Sequence, residues 1–378
     1  MIGQASLEST APILAQTRTR VVMYGLGSMG SLVARMLDER GAELVGAVAR
    51  SPQKIGRDIG DVACLGKQLG VTVAQDIELV LADTRPDLVV MTIASYMEDM
   101  FEPAMACLVA GANVITLSEE LMFSRRTSPD ETELLDKAAR EAGVTITGTG
   151  HQDGYWVNLV SVLMGTAHRI QRVVGKASWN VDDFGAELAR DQQVGSSMAE
   201  FEQWLAGASR PPTFGRNALE QLAVVAGLNP RDASCETKPV IADADTECRA
   251  LNTVVRKGSV LGFTDIDTLT TDEGVVLTIE MTGMVYGPDN ADYNDWTIFG
   301  EPELNLRNEK VPTSWTTCAT LVNRIPDVLS APPGYVTLEA LPQLRYRHPG
   351  EFRPIQHRFH PPKLSAVEQM DCDSDSQI

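Results

Sequence analysis

Basic residues are scarce in this chain: 32 lysines and arginines face 51 aspartates and glutamates, for a formal net charge of −19 over 378 residues. A surface of that sign repels phosphate backbones and anionic headgroups, so neither nucleic acid nor membrane is expected as a partner. Metal-binding patterns are missing as well. The six cysteines, Cys64, Cys107, Cys235, Cys248, Cys318 and Cys372, contain no C-x-x-C pair. The five histidines, His151, His168, His348, His357 and His360, lack the spacing of a helical zinc site. Neither a metal nor a disulfide framework is expected. No stretch approaches the run of about 18–20 apolar residues that spans a bilayer. Residues 1–16 lack the basic start and apolar core of a secretory signal. These absences predict a cytoplasmic protein with a solvated acidic surface.

What is present is a glycine-rich turn between an apolar strand and a helix, Arg20-Val21-Val22-Met23-Tyr24-Gly25-Leu26-Gly27-Ser28-Met29-Gly30, followed by helix 31–40. The three glycines do different things. Gly25 makes the tight turn, Gly27 lets a pyrophosphate approach the backbone, and Gly30 lets helix and strand pack. The pyrophosphate would rest on free N–H groups at the helix N-terminus, where the dipole favours an anion. Gly25, Leu26, Gly27, Ser28, Met29 and Gly30 are therefore the expected dinucleotide turn. A second strand, 43–48, completes a βαβ unit. It ends in Val48-Ala49-Arg50-Ser51-Pro52-Gln53-Lys54, without the carboxylate that would take a ribose 2′-hydroxyl. Arg50 and Ser51 suit a 2′-phosphate instead. NADP is the expected cofactor, with acceptance of NAD as the alternative.

Short apolar strands at 20–24, 43–48, 71–74, 88–93, 113–116 and 144–147 alternate with helices such as 101–110 and 130–141, the pattern of a parallel sheet covered on both faces. After Gly150 the alternation stops. A helix near 154–163, a strand at 172–181 and helices at 197–206 and 217–226 precede long β-type runs at 250–255, 259–269, 275–286 and 296–306. A helix at 316–323 follows. The fold class is thus α/β, with an N-terminal Rossmann dinucleotide-binding domain and a second α+β domain built on a mostly antiparallel sheet. The expected division is a flexible N-terminus (1–19), the Rossmann domain (20–150) and the α+β substrate and dimerisation domain (151–315). A return helix and segment on the Rossmann domain (316–344) then lead to a C-terminal arm or disordered tail (345–378).

Ligands of open α/β sheets lie beyond the carboxyl ends of the strands. The fourth strand ends in Thr92-Ile93-Ala94-Ser95, placing Ile93, Ala94 and Ser95 along the cofactor ribose and nicotinamide. The fifth ends in Ser118-Glu119-Glu120, two carboxylates near the locus of hydride transfer. The absence of Glu-Lys-Pro at this point disfavours sugar dehydrogenases of the glucose-fructose oxidoreductase type. The absence of a His-His and Lys signature in the second domain disfavours dihydrodipicolinate reductases.

The glycine turn, Ser118-Glu119-Glu120, Gly148-Thr149-Gly150 before a helix, Val322-Asn323-Arg324-Ile325-Pro326 and Ala331-Pro332-Pro333-Gly334 together resemble the 2,4-diaminopentanoate dehydrogenases and the native amine dehydrogenases, whose N-terminal domain is similar to that of dihydrodipicolinate reductase. The resemblance spans roughly residues 20–340. It implies reductive amination of a small ketone or aldehyde with ammonia and NAD(P)H, or the reverse deamination, in a homodimer. Other imine or carbonyl reductases of this plan, and a non-catalytic NAD(P)-binding redox sensor, are the alternatives. Carried over by position, the resemblance implies Glu119, ahead of Glu120, as the carboxylate that handles ammonia, with Ser118 and Asn323 on the cofactor. The crossover after the sixth strand then makes His151, Trp156, Trp179 and Phe184 the expected pocket wall. One departure stands at the pocket mouth: His151-Gln152-Asp153-Gly154-Tyr155-Trp156 replaces an Asn-Pro-Gly type of sequence, which favours a simpler amine than a diamine.

Overall fold

A computed structural model describes residues 18–207 and 212–348. Expectations for the first 17 residues and for the tail from 349 lie outside the described residues. The first half alternates as its apolar pattern requires: β1 (Arg20–Tyr24), α1 (Ser28–Glu39), β2 (Glu43–Val48), α2 (Ile59–Val62), β3 (Val73–Ala74), α3 (Ile77–Thr84), β4 (Leu88–Met91), α4 (Met97–Val109), β5 (Asn113–Thr116), α5 (Glu119–Met122), α6 (Pro129–Ala142) and β6 (Thr145–Gly148). A π-helical stretch, Asp153–Asn158, then runs into α7 (Leu159–Met164). The second domain comprises β7 (Arg169–Asn180), α8 (Ala186–Asp191), α9 (Met198–Gly207), α10 (Phe214–Val225), β8 (Pro230–Ile241), β9 (Thr246–Cys248), β10 (Thr253–Val255), β11 (Val260–Thr271), β12 (Val276–Met284), β13 (Tyr293–Glu301) and β14 (Leu304–Leu306). The chain returns through α11 (Thr313–Ser330) to β15 (Gly334–Tyr335).

The first sheet is parallel throughout, in the order β15-β6-β5-β4-β1-β2-β3. Successive residues of β1 divide between two cores. Val21 and Met23 pack with Val33 and Leu37 of α1 and Leu321 and Val328 of α11. Val22 packs with Met100 of α4 and Leu135 of α6. A strand buried on both faces in this way reads as a continuous apolar run. Strand order reverses between β4 and β1, the point beyond whose strand ends open α/β sheets take their ligands.

The second sheet runs β14-β13-β7-β12-β11-β8, parallel only at the β7–β12 pair. Its inner face, with Trp179, Leu277, Ile279 and Trp296, packs on Leu219 and Leu222 of α10. Two glycines make the indoles fit: a Cβ on Gly283 would stand 2.3 Å from the Trp179 ring, and one on Gly175 2.7 Å from Trp296. The outer face carries polar cross-strand pairs, Thr264 with Thr282 at 2.8 Å and Lys176 with Glu280 at 3.1 Å.

Several boundaries differ from the expectation. The first sheet has seven strands, because β15 adds an edge beside β6. The run expected as one strand at 250–255 is part of a hairpin, β9 and β10. Helix α11 extends past both expected ends and continues through Pro326, whose neighbours Val322, Ile325 and Val328 are fully buried. That packing outweighs the lost backbone donor.

Candidate active site

The glycine turn separates fold-making from ligand-facing positions. Gly25 has φ +103°, and a Cβ there would lie 2.6 Å from the Thr92 carbonyl oxygen. On Gly30 it would strike the Gly25 carbonyl at 2.3 Å. On Gly27, the N-cap of α1, it would meet nothing within 4 Å. Gly27 and Ser28 are exposed, no side chain caps the helix, and its first turn carries no acid. An open, uncapped helix N-terminus fits a pyrophosphate. Leu26 is buried, and its carbonyl accepts a hydrogen bond from Lys54 Nζ at 2.5 Å. Arg50 is exposed just past β2, and Ser51 Oγ donates to Gln53 Oε1 at 2.6 Å. Ile93 and Ala94 are half-buried at the end of β4.

The two carboxylates after β5 part company. Glu120 is buried and saturated: Met97 N donates to it at 2.8 Å, Thr127 Oγ1 at 2.8 Å and Ser128 Oγ at 2.6 Å. It fastens the starts of α4 and α6. Glu119 instead lines a cavity of about 90 Å³ with Met29, Leu117, His151, Gln152, Trp156, Trp179, Phe184, Leu188, Phe214, Met281, Thr313 and Thr317. Burial pushes its carboxyl up to about 7, against the opposing effect of a hydrogen bond from Ser95. The Ser95 carbonyl in turn accepts from Ser118 Oγ at 2.8 Å and Glu120 N at 3.1 Å, so the ends of β4 and β5 are stitched together behind the carboxylate. Ser95 and Ser118, expected on the cofactor, thus have a structural role in aiming Glu119.

The expected wall residues His151, Trp156, Trp179 and Phe184 share that cavity, the last two edge to face at 5.2 Å between ring centroids. Trp156 and His151 meet at Asn294: the indole N–H donates to Asn294 Oδ1 at 2.6 Å, and His151 Nε2 lies 2.9 Å from the same oxygen. An indole nitrogen only donates, which fixes the Asn294 oxygen towards it. His151 must then carry its proton on Nε2, leaving Nδ1 to accept from Thr316 Oγ1 at 2.7 Å. Burial draws the imidazole pKa down to about 4, so His151 is a neutral wall. Below the wall, Asp153 holds Arg324 through bonds of 2.7 and 2.8 Å, both side chains being fully buried. The π-helical stretch that carries Trp156 is anchored there; such stretches are frequent at functional sites.

Asn323 is not brought to the glycine turn. Its Oδ1 accepts from Arg347 N at 3.1 Å and Arg40 Nη1 at 3.5 Å, and Arg40 is the C-cap of α1, the end opposite the turn. Asn294, Gln152 and the Thr313/Thr317 pair were missed from the sequence. Asn294 had a signal, being polar on the buried face of an alternating strand with Trp296 and Ile298. The threonines stand four apart on one face of α11.

Residues 156–353, more than half of the chain, match the family model for the 2,4-diaminopentanoate dehydrogenase C-terminal domain, and residues 19–116 match that for the dihydrodipicolinate reductase N-terminus. The chain is 26% identical over 354 residues to a 2,4-diaminopentanoate dehydrogenase of Acetoanaerobium sticklandii, covering 89% of this chain and 97% of the relative. An amine dehydrogenase of Streptomyces virginiae is 27% identical over 147 residues, 38% of this chain and 41% of the relative. Among solved structures, an amine dehydrogenase from Mycobacterium smegmatis is 53% identical and superposes with a TM-score of 0.85, over 88% of this chain and 98% of that one.

Proposed function

The chain belongs to the family of 2,4-diaminopentanoate and amine dehydrogenases, and from that premise we propose that it catalyses the reductive amination of small ketones or aldehydes with ammonia, and the reverse deamination. The observation that carries this reading is a single carboxylate, Glu119, set with a pKa near 7 in a cavity otherwise lined mainly by aromatic and aliphatic side chains. A carboxylate so placed attracts an ammonium and exchanges protons with it at neutral pH. Glu119 takes a proton from ammonium, the freed ammonia attacks the carbonyl carbon, and Glu119 returns the proton to the carbinolamine oxygen, which departs as water. The carboxylate, ionised again, faces the iminium. The glycine turn would hold a dinucleotide by its pyrophosphate, and that cofactor, when bound, would supply the hydride. Carbonyl compound, ammonium and NAD(P)H thus give amine, water and NAD(P)⁺. Trp156, Trp179 and Phe184 enclose the organic part, and the small volume favours short aliphatic chains.

The test is Glu119→Gln, which keeps shape and removes the base. Amination should fall by about 10²-fold or more while NAD(P)H affinity is kept. In the wild type kcat/KM should decline as pH drops below about 7, where Glu119 becomes protonated. Near-full amination by Glu119→Gln would reject the assignment. His151, depressed to about 4, adds no limb between pH 5 and 8.

Two finer assignments belong to the same reading. Arg50, Ser51 and Lys54 follow β2, where a ribose 2′-phosphate would lie, and residues 48–54 contain no carboxylate, which supports NADP over NAD. The outer face of the second sheet is the surface through which two copies pair as a homodimer. Its rows of threonine, with Ile266 between Thr264 and Thr268, are half-buried.

A further inference from the structure

Gln152 is nine-tenths buried and lines the cavity, yet neither atom of its side-chain amide has a hydrogen-bond partner among the described residues. A primary amide carries one acceptor oxygen and two N–H donors. Neither atom is sealed off from solvent, so the amide is free to meet a ligand in the cavity. Its position says which ligand answers it. A Cβ placed on Gly150 would stand 3.1 Å from Gln152 Oε1, 3.5 Å from the Thr317 methyl and 3.7 Å from Leu117 Cδ2, so these groups converge on one spot. Leu117 packs with Met29 of the glycine turn against the core of the dinucleotide-binding domain. Trp156 and Trp179 belong to the core of the other domain. Gln152 therefore presents its amide on the cofactor side of the cavity, away from the aromatic wall. A short aliphatic carbonyl compound offers only its one acceptor oxygen, and the amine formed from it, with its nitrogen at Glu119, offers no further polar group.

We propose that the Gln152 amide pairs with the carboxamide of the nicotinamide, and so fixes which face of the ring meets the cavity. The carboxamide has the same acceptor and donors in complementary order. This inference rests on the nicotinamide-dinucleotide reading of the glycine turn, but its test needs no turnover and stands whatever Glu119 does in amination.

The experiment measures binding by fluorescence titration without substrate, for NAD(P)H, for its 3-acetylpyridine analogue, which has a methyl ketone for the amide, and for the matching ADP-ribose, which lacks the ring. Wild-type protein should bind the carboxamide form roughly tenfold tighter than the acetylpyridine form, the worth of about one hydrogen bond to a buried group. Gln152→Leu should lose that preference and weaken NAD(P)H by a similar factor, with ADP-ribose affinity unchanged. Retained ADP-ribose binding also reports an intact fold, and the unbranched Gln152→Met serves as a second variant. A preference for the carboxamide that survives in both variants would overturn the proposal. So would unchanged NAD(P)H affinity accompanied by a raised KM for hydroxylated carbonyl substrates, which would assign the amide to the substrate.

Discussion

At the scale of single residues, neighbours in sequence have opposite fates because backbone geometry sends them to different surroundings. Glu119 and Glu120 are chemically alike, and the sequence offered only family position to choose between them. In the fold, three donors from the starts of α4 and α6 engage Glu120, while Glu119 keeps one side-chain donor and a cavity. Those donors lie up to 23 residues away in sequence, which is why no local pattern announces them. The glycines show the reverse for packing: the tight turn expected at Gly25 and the close approach expected at Gly30 are both seen. Gly27→Ala adds a methyl where no protein atom lies within 4 Å, so its melting temperature should match the wild type, while dinucleotide affinity falls at least tenfold as the methyl enters the space of the pyrophosphate. Gly25→Ala, forced to φ +103° beside the Thr92 carbonyl, should lose about 1–3 kcal/mol of stability instead. Thermal denaturation and fluorescence titration of the pair check both halves, and unchanged affinity in Gly27→Ala would leave the turn a merely structural one.

At the scale of elements, what the sequence announced were strands with a continuous apolar run: β1, β2 and β5 lie where the pattern placed them. What escaped was set by partners distant in the chain. Strand β8 reads Pro-Arg-Asp-Ala-Ser-Cys-Glu-Thr-Lys-Pro-Val-Ile, with little apolar alternation and two prolines. It exists because β11 pairs with it along nearly its whole length, and prolines are tolerated on such an edge. The π-helical stretch is likewise held from afar, by Arg324 of α11 gripping Asp153. Arg324→Met should therefore destabilise the protein by about 3–5 kcal/mol, because it strands a buried carboxylate. It should also raise KM for the carbonyl compound, since Trp156 of the pocket wall shares the π-helical stretch with Asp153. The double variant Asp153→Asn/Arg324→Met removes the stranded charge and should recover most of the lost stability in urea denaturation. A double variant no more stable than Arg324→Met would show that packing, not charge, makes the pair matter.

At the scale of the whole molecule, two sheets meet at one small cavity: the first brings the carboxylate and the glycine turn, the second an aromatic wall. The outer face of the second sheet carries a mixed polar and aliphatic surface, with Thr264, Ile266 and Thr268 in one row, which suits the proposed pairing with a second copy. Sedimentation velocity should accordingly give a particle of twice the 41.0 kDa chain mass. A charge at the centre of the face, Ile266→Arg, should shift it towards monomer, and a wild type monomeric at micromolar concentration would remove the assignment. Strand β15 and helix α11 carry a different consequence. Residues that complete the core of the dinucleotide-binding domain lie at 318–335, after the whole second domain has been threaded through the chain between β6 and α11. During synthesis, the first 150 residues leave the ribosome with one flank of α1 and the edge of β6 bare. The inserted domain is made while that apolar flank waits uncovered, so the nascent chain must avoid aggregation until α11 and β15 emerge.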